Sequence, residues 1–331
     1  MKKFRSKKQR RKISLYKIAF LLAITFFFYY FFTQLLFDFR LATNNQEFIT
    51  YLLEDSNHHL KYNKTNRFWN DVLNKILNID VTKPTTILKN TYGVEEPNKD
   101  VDLLDEEFTD EESTVTTDYV YDPNPNKIAD PAIYIYNTHQ LENYDGTDYS
   151  ENNITPNVLM ASYLLKEKLN KNNIQTVAET ANLKEFMNIN GWSYNYSYQA
   201  SRYFIKEAIS NYQNLKLLID LHRDSISKDK STVTIENKNY AKILFVVGQD
   251  YEGYEKNLEI ANKINQLVKS KYPTLSRGII TKSGPNVNGI YNQDIKNGMV
   301  LIELGGNENT MEEVVNTIDV IAEILTEYIG E

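Results

Sequence analysis

The stretch LKLLIDLHRDS, Leu215 to Ser225, decides the reading of the fold. Leu217-Leu218-Ile219 is an apolar run bounded by charge, the pattern of a buried strand in a parallel sheet. Asp220, His222, Arg223, Asp224 and Ser225 follow at once. Open α/β sheets bind ligands outside the carboxyl ends of their strands, so His222 stands where chemistry is done. A lone histidine after a strand is as readily a structural residue.

The arrangement recurs, and the recurrence is what carries weight. Ile133-Tyr134-Ile135-Tyr136 runs into Asn137-Thr138-His139, with Glu142 three residues further on. Met299-Val300-Leu301-Ile302 runs into Glu303, followed by Leu304-Gly305-Gly306. The chain has four histidines, and the two beyond residue 60 both sit at such strand ends. Two imidazoles and a carboxylate form a zinc set with a fourth position open for water. A further carboxylate beside that water can serve as general base.

Composition narrows the classes. Cysteine is absent, which excludes disulfides, thiolate nucleophiles and cysteine-ligated metals. The first seventeen residues hold nine of the 37 basic residues and none of the 44 acidic ones. The remainder is therefore far more acidic than the net charge of −7 suggests. Such a body is a poor candidate for nucleic acid, which calls for a basic face.

The basic residues have another role. Ile18 to Phe37 is twenty residues without a charge, enough at 1.5 Å per residue to cross a hydrocarbon core of about 30 Å. The run exceeds a signal-peptide core and exits into Asp38-Phe39-Arg40, so it reads as an uncleaved membrane anchor. Its basic flank places residues 1–17 in the cytoplasm and the rest outside.

Residues 38–94 read as a partly helical membrane-proximal segment in which His58-His59 is a solvated spacer. Between Glu95 and Asp122 there are twelve acidic residues and one basic, Lys99, with Pro123 and Pro125 following. Residues 95–127 are expected to be an extended acidic linker.

The folded domain is expected over 128–331. Its elements read as a strand at 133–136, a helix opened by Thr155-Pro156 and a short strand at 174–178. GWSYNYSY (191–198) reads as a loop and about 199–211 as a helix leading into the His222 strand. Strands at 231–236 and 242–247, a helix at 258–272, a short extended piece at 278–281 and a closing helix at 311–328 complete the domain. Strands alternating with helices give an α/β fold with a mainly parallel sheet.

THQLENY (138–144), DLHRDS (220–225), KDKSTV (228–233), YNQD (291–294) and LIELGGNENT (301–310) occur in this order. Together they resemble the stage II sporulation protein P family, over roughly 128–331 and the single anchor. That family is similar to zinc-dependent N-acetylmuramoyl-L-alanine amidases. The resemblance implies a peptidoglycan hydrolase that strips stem peptides and cuts cross-links during engulfment in sporulation. It further implies partnership with the sporulation proteins of types D and M, and a place in the space between the engulfing membranes.

Carried over to this chain, the resemblance makes His139 and His222 zinc ligands and Glu142 the third. Related amidases supply that carboxylate just before the following helix, where this chain has Glu151. Glu303 becomes the general base. Arg223 and Asp224 flank the ligand, either taking part in catalysis or forming a structural ion pair. Tyr291, Asn292, Gln293 and Asp294 form a loop that lines the substrate or is tied together internally. Two other readings stay open: a catalytically inactive peptidoglycan-binding scaffold on the same fold, and a serine hydrolase using Ser225. No G-x-S-x-G elbow supports the second.

Overall fold

The computed structural model describes residues 20, 22–31, 83, 85, 88–89, 92–93, 119–125, 127–145, 155–285 and 287–330. The basic tail, both ends of the anchor, His58-His59, the linker as far as residue 118, and Glu151 lie outside the described residues. The chain divides into two units, Met1–Lys61 and Tyr62–Glu331. In the first, residues 22–31 are helical and expose Phe26, Phe27 and Tyr29. Among the described residues no helix is long and apolar enough to cross a membrane.

The second unit is built on a six-stranded sheet. In chain order its strands are β1 (Ile133–Tyr136), β2 (Thr176–Ala178), β3 (Leu217–Asp224), β6 (Ile243–Gly248), β7 (Ser276–Lys282) and β8 (Met299–Gly306), arranged β2-β1-β3-β8-β6-β7. A separate hairpin joins β4 (Thr232–Ile235) to β5 (Lys238–Ala241), turned by Glu236 and Asn237 at positive φ. All sheet pairs are parallel except β6 with β8.

Helices α1 (Val158–Lys171), α2 (Leu183–Asn190), α3 (Ser197–Asn211), α4 (Lys228–Ser231), α5 (Tyr254–Lys271) and α6 (Met311–Gly330) accompany these strands. Successive residues of a strand point to opposite faces, which explains how the layers divide. Ile133, Ile135, Ile219, Leu221, Val300, Ile302 and Phe245 pack in one cluster with α1, α5 and α6. Tyr134, Tyr136, Leu218 and Met299 point the other way, against Ile205 and Ala208 of α3. On this second face α3 covers the β1–β3 side and leaves a trough over β8, β6 and β7, where the cavity described below lies. Ile219 is fully buried, so Ile219→Ala should cost about 2–5 kcal/mol through the cavity it leaves.

Several elements differ from the sequence reading. Asn182 accepts from the Glu185 N–H and Gly191 at φ +66 closes the turn, so Leu183–Asn190 is a helix that the apolar pattern did not announce. GWSYNYSY is not an open loop: Tyr194–Tyr196 is a 3-10 turn that runs directly into α3. β3 continues to Asp224 and β8 to Gly306, because their pairing extends from Leu218–Met299 to Asp224–Gly306. His222 and Glu303 are therefore strand residues.

The folded body also begins earlier than Ile128. Lys166 of α1 is buried and takes Asp122 as its counter-ion while donating to the Asn124 carbonyl. Tyr163 Oη donates to the Val120 carbonyl at 3.1 Å. A buried ammonium without partners is costly, and the end of the acidic stretch supplies them.

Candidate metal centre and active-site groove

Three backbone segments converge at one rim. Beyond β1 the chain turns tightly, and Asn137 holds the turn by donating to the Leu221 carbonyl at 2.5 Å and accepting from Ser162 Oγ at 2.9 Å. This turn carries His139 and Glu142, both buried. Tyr144 Oη donates to the Leu304 carbonyl at 3.0 Å and ties the turn to β8. His222 arrives on β3, and Glu303 lies directly opposite it on β8.

Glu142 Oε1 is 3.2 Å from His139 Nδ1 and 3.4 Å from His222 Nδ1. The ligand atoms of all three residues lie within 4.8 Å of one another. Zinc bonds of 2.0–2.1 Å in a tetrahedron set neighbouring ligands about 3.3 Å apart, so the donor set and its spacing fit a metal ion. Glu142 Oε2 accepts from the Arg223 N–H at 3.0 Å. Asp220 Oδ1 lies 2.9 Å from His222 Nε2, close but without hydrogen-bond alignment. Asp220 is itself fixed by the Thr138 N–H at 2.9 Å and Thr138 Oγ1 at 2.7 Å. A carboxylate behind a histidine is the arrangement that orients metal-ligating imidazoles.

The electrostatics agree with this assignment. Burial alone would raise the Glu142 carboxyl, but His222 and His139 overcome it and hold it well below the ordinary carboxylate range. Burial alone would lower His222, yet Asp220 and Glu142 hold it well above the ordinary imidazole value. The surroundings that favour a proton on His222 would equally favour a metal cation among these groups.

A cavity of about 300 Å³ opens from these residues. Leu244, Val246 and Ile280 lie along it, with Glu303 and Tyr198 beside the histidines. The His139 ring stacks on Tyr194 at a centroid distance of 5.4 Å, and Tyr198 stacks on His222 at 6.4 Å. These tyrosines belong to GWSYNYSY (191–198), the tract whose composition predicts a loop.

The sequence-derived residues fall into distinct places. His139, Glu142, His222, Glu303, Arg223, Asp224 and Tyr291 all line the cavity. Arg223 Nε donates to the Asn143 carbonyl at 3.1 Å, so Arg223 also fastens β3 to the turn that carries Glu142. Asp224 pairs with Arg277 at 2.6 Å. Ser225 lies at the cavity edge, and its N–H donates to Asp224 Oδ1.

The loop after β7 behaves differently along its length. Tyr291 and Asn292 both have positive φ, +52 and +58, a conformation that costs non-glycine residues energy and needs support. Asn288 Oδ1 supplies it by accepting from the Tyr291 N–H at 2.7 Å. Asn292 is turned inward, donating to the Tyr198 carbonyl and Ser201 Oγ. Gln293 bonds to both Val246 and Gly248 of β6, and Asp294 forms a two-point pair with Arg202. Of the four YNQD residues, then, Tyr291 faces the cavity and the other three bond the loop to α3 and β6.

The glycines of LIELGGNENT have a similar supporting role. Gly305 lies at φ +72, and a Cβ there would sit 2.6 Å from Asn309 Oδ1. Asn309 Oδ1 accepts from the Gly306 N–H at 2.8 Å. The motif thus shapes the end of the strand that presents Glu303. Asp220, Tyr198, Arg277, Lys282 and Asn288 belong to this site and were not singled out from sequence. Asp220 offered a signal, a charged residue inside an apolar strand two positions before the histidine.

Residues 55–326 match the profile of "Stage II sporulation protein P (SpoIIP)". The chain belongs to the stage II sporulation protein P family. It is 33% identical over 205 residues to the Stage II sporulation protein P of Bacillus subtilis (strain 168), a stretch covering 59% of this chain and 50% of that protein. The chain thus matches about half the length of this sporulation protein P relative. Solved structures with partial likeness include the N-acetylmuramoyl-L-alanine amidase from Clostridium difficile 630, with 17% identity and a TM-score of 0.34 over 60% of this chain and 95% of that one. The CwlD amidase from Clostridioides difficile, in complex with the GerS lipoprotein, has 15% identity and a TM-score of 0.37 over 60% and 94%. A metallo-carboxypeptidase from Burkholderia cenocepacia has 10% identity and a TM-score of 0.36 over 62% and 58%.

Proposed function

We propose that this chain is a membrane-anchored, zinc-dependent peptidoglycan hydrolase that cleaves the N-acetylmuramoyl-L-alanine amide, and peptide cross-links with it, during engulfment. The observation that carries this reading is the buried His139–Glu142–His222 group, with Glu303 one strand away on the same cavity. His139, Glu142 and His222 would hold the zinc ion. A bound zinc would polarise the scissile carbonyl and bring the pKa of its water from 15.7 toward about 7.

The chain's own residues do the remaining work. Glu303 takes the proton of the attacking water and returns it to the leaving amine. Asp220 lies 2.9 Å behind His222 Nε2, placed to orient the ring once a metal is bound, and the Arg223 N–H fixes Glu142 Oε2. Tyr198 and Tyr291 line the site beside the histidines. The basic flank and the apolar run 18–37 support an anchor that leaves this domain outside the cytoplasm, within reach of the cell wall. Family membership supports the sporulation proteins of types D and M as partners.

The test pairs metal analysis with product analysis. Purified protein should contain about one zinc per chain and release free stem peptides from purified cell wall, and a chelator should stop release. Protein that binds cell wall with zinc in place and releases nothing would instead be a scaffold. Protease added to intact protoplasts should degrade residues 38–331, and their survival would overturn the topology.

A further inference from the structure

The groove carries an arginine that the hydrolytic reading does not use. Pairing between β6 and β7 slips by one residue, from Ile243–Ser276 to Leu244–Gly278. Arg277 is the extra residue, and Gly278 at φ +103 carries the backbone through the bulge. Under strict alternation Arg277 would leave the sheet on the same side as Ile279, which packs against the α1–α5–α6 core. Instead it lines the groove and donates through Nη1 to Asp224 Oδ2 at 2.6 Å. Bulges are a recurrent means of re-aiming a side chain beside an active site.

Topology brings the two residues together. β6 runs antiparallel to β8, with Ile243 opposite Leu304, so the start of β7 lies at the end of the sheet where β3 and β8 finish. From Arg277 the groove follows β6 and β7 past Leu244, Val246 and Ile280 to Lys282. Six residues of strand span about 17 Å, the length of a short extended peptide. Glu303 is register partner to both His222 and Leu244, and Leu244 to Gly278, so His222 and Glu303 stand level with the Arg277 end of the groove.

The Arg277–Asp224 side chains are 23% and 16% exposed, and an ion pair that open contributes little to stability. Its use lies in orientation. Asp224 holds one edge of the guanidinium, and a carboxylate can pair with another edge in the two-point fashion that suits arginine. The body of the chain is acidic, so an acidic ligand needs a fixed cation at the place where it binds.

We propose that Arg277, oriented by Asp224, is a specificity-determining residue that binds a free carboxylate of the peptide lying in this groove. The identity of that peptide as a peptidoglycan stem rests on the function proposed above.

The test is equilibrium binding, which does not depend on turnover. The full-length chain in detergent is titrated with two synthetic muramoyl peptides, one with free carboxylates and one with every carboxylate amidated. The native protein should bind the free form at least tenfold more tightly, and Arg277→Gln should abolish that preference while binding the amidated form as before. Arg277→Lys keeps the charge but not the planar fork, and should lose at least threefold of the preference. If Arg277→Gln does not fold, Arg277→Lys decides alone. No preference in the native protein, absence of binding included, or full preference in the variant, overturns the proposal. Peptide release from the same compounds is followed separately: preference without release would sink the hydrolase reading and leave this one standing.

Discussion

His222 and Glu303 are register partners on the adjacent parallel strands β3 and β8. Residues so paired leave the sheet on the same face, about 4.8 Å apart at the backbone. The proposed division of labour between metal ligand and proton carrier thus rests on two paired strands rather than on a loop.

Glu303→Gln separates the two roles. If Glu303 carries the proton, the variant keeps its zinc and its affinity for cell wall while peptide release falls about 10²–10⁴-fold. Metal analysis beside a rate measurement checks this. Loss of zinc together with activity would make Glu303 a ligand.

If the proposed metal site is right, replacing any one of His139, Glu142 and His222 by alanine should strip the zinc, because each offers one ligand atom to a compact buried group. Glu151→Ala should leave zinc content unchanged. Zinc lost in Glu151→Ala and kept in Glu142→Ala would reverse the assignment of the third ligand.

Asp220→Asn tests the support behind His222. Partners of this kind typically affect metal affinity about 10–100-fold. Competition with a chromogenic chelator should show a loss in that range, with the fold intact by circular dichroism. Unchanged affinity would reduce Asp220 to a partner of Thr138.

Glu207 of α3 gives a pH signature away from the site. Burial pushes its carboxyl up to about 7, with Glu179 adding to the rise and Asn211 opposing it. The folded chain therefore holds a proton that the unfolded chain has released between the ordinary 4.5 and about 7. The associated stability is complete below 4.5 and is lost as pH rises through 7. Glu207→Gln cannot ionise, so its melting temperature should match the native protein at pH 4.5 and exceed it by roughly 3–6 °C at pH 8. Equal differences at both pH values would refute this account.

The sequence by itself made most of the sheet strands and the candidate site residues legible. Strands buried on both faces must be apolar throughout, so IYIY, LLI and MVLI were legible as runs, and ionisable groups at their ends stood out against them. The tertiary structure alone decided which of those groups meet. Nothing local to Ile243–Gly248 says that it pairs antiparallel with β8, yet that pairing brings Arg277 to Asp224 across 53 residues. Nor does YNQD show that Asn292, Gln293 and Asp294 bond inward, since amides and carboxylates serve a ligand or a neighbouring helix equally well. Strand order and loop direction are settled by burial and hydrogen bonds between segments distant in sequence, and a local pattern carries no record of its partner.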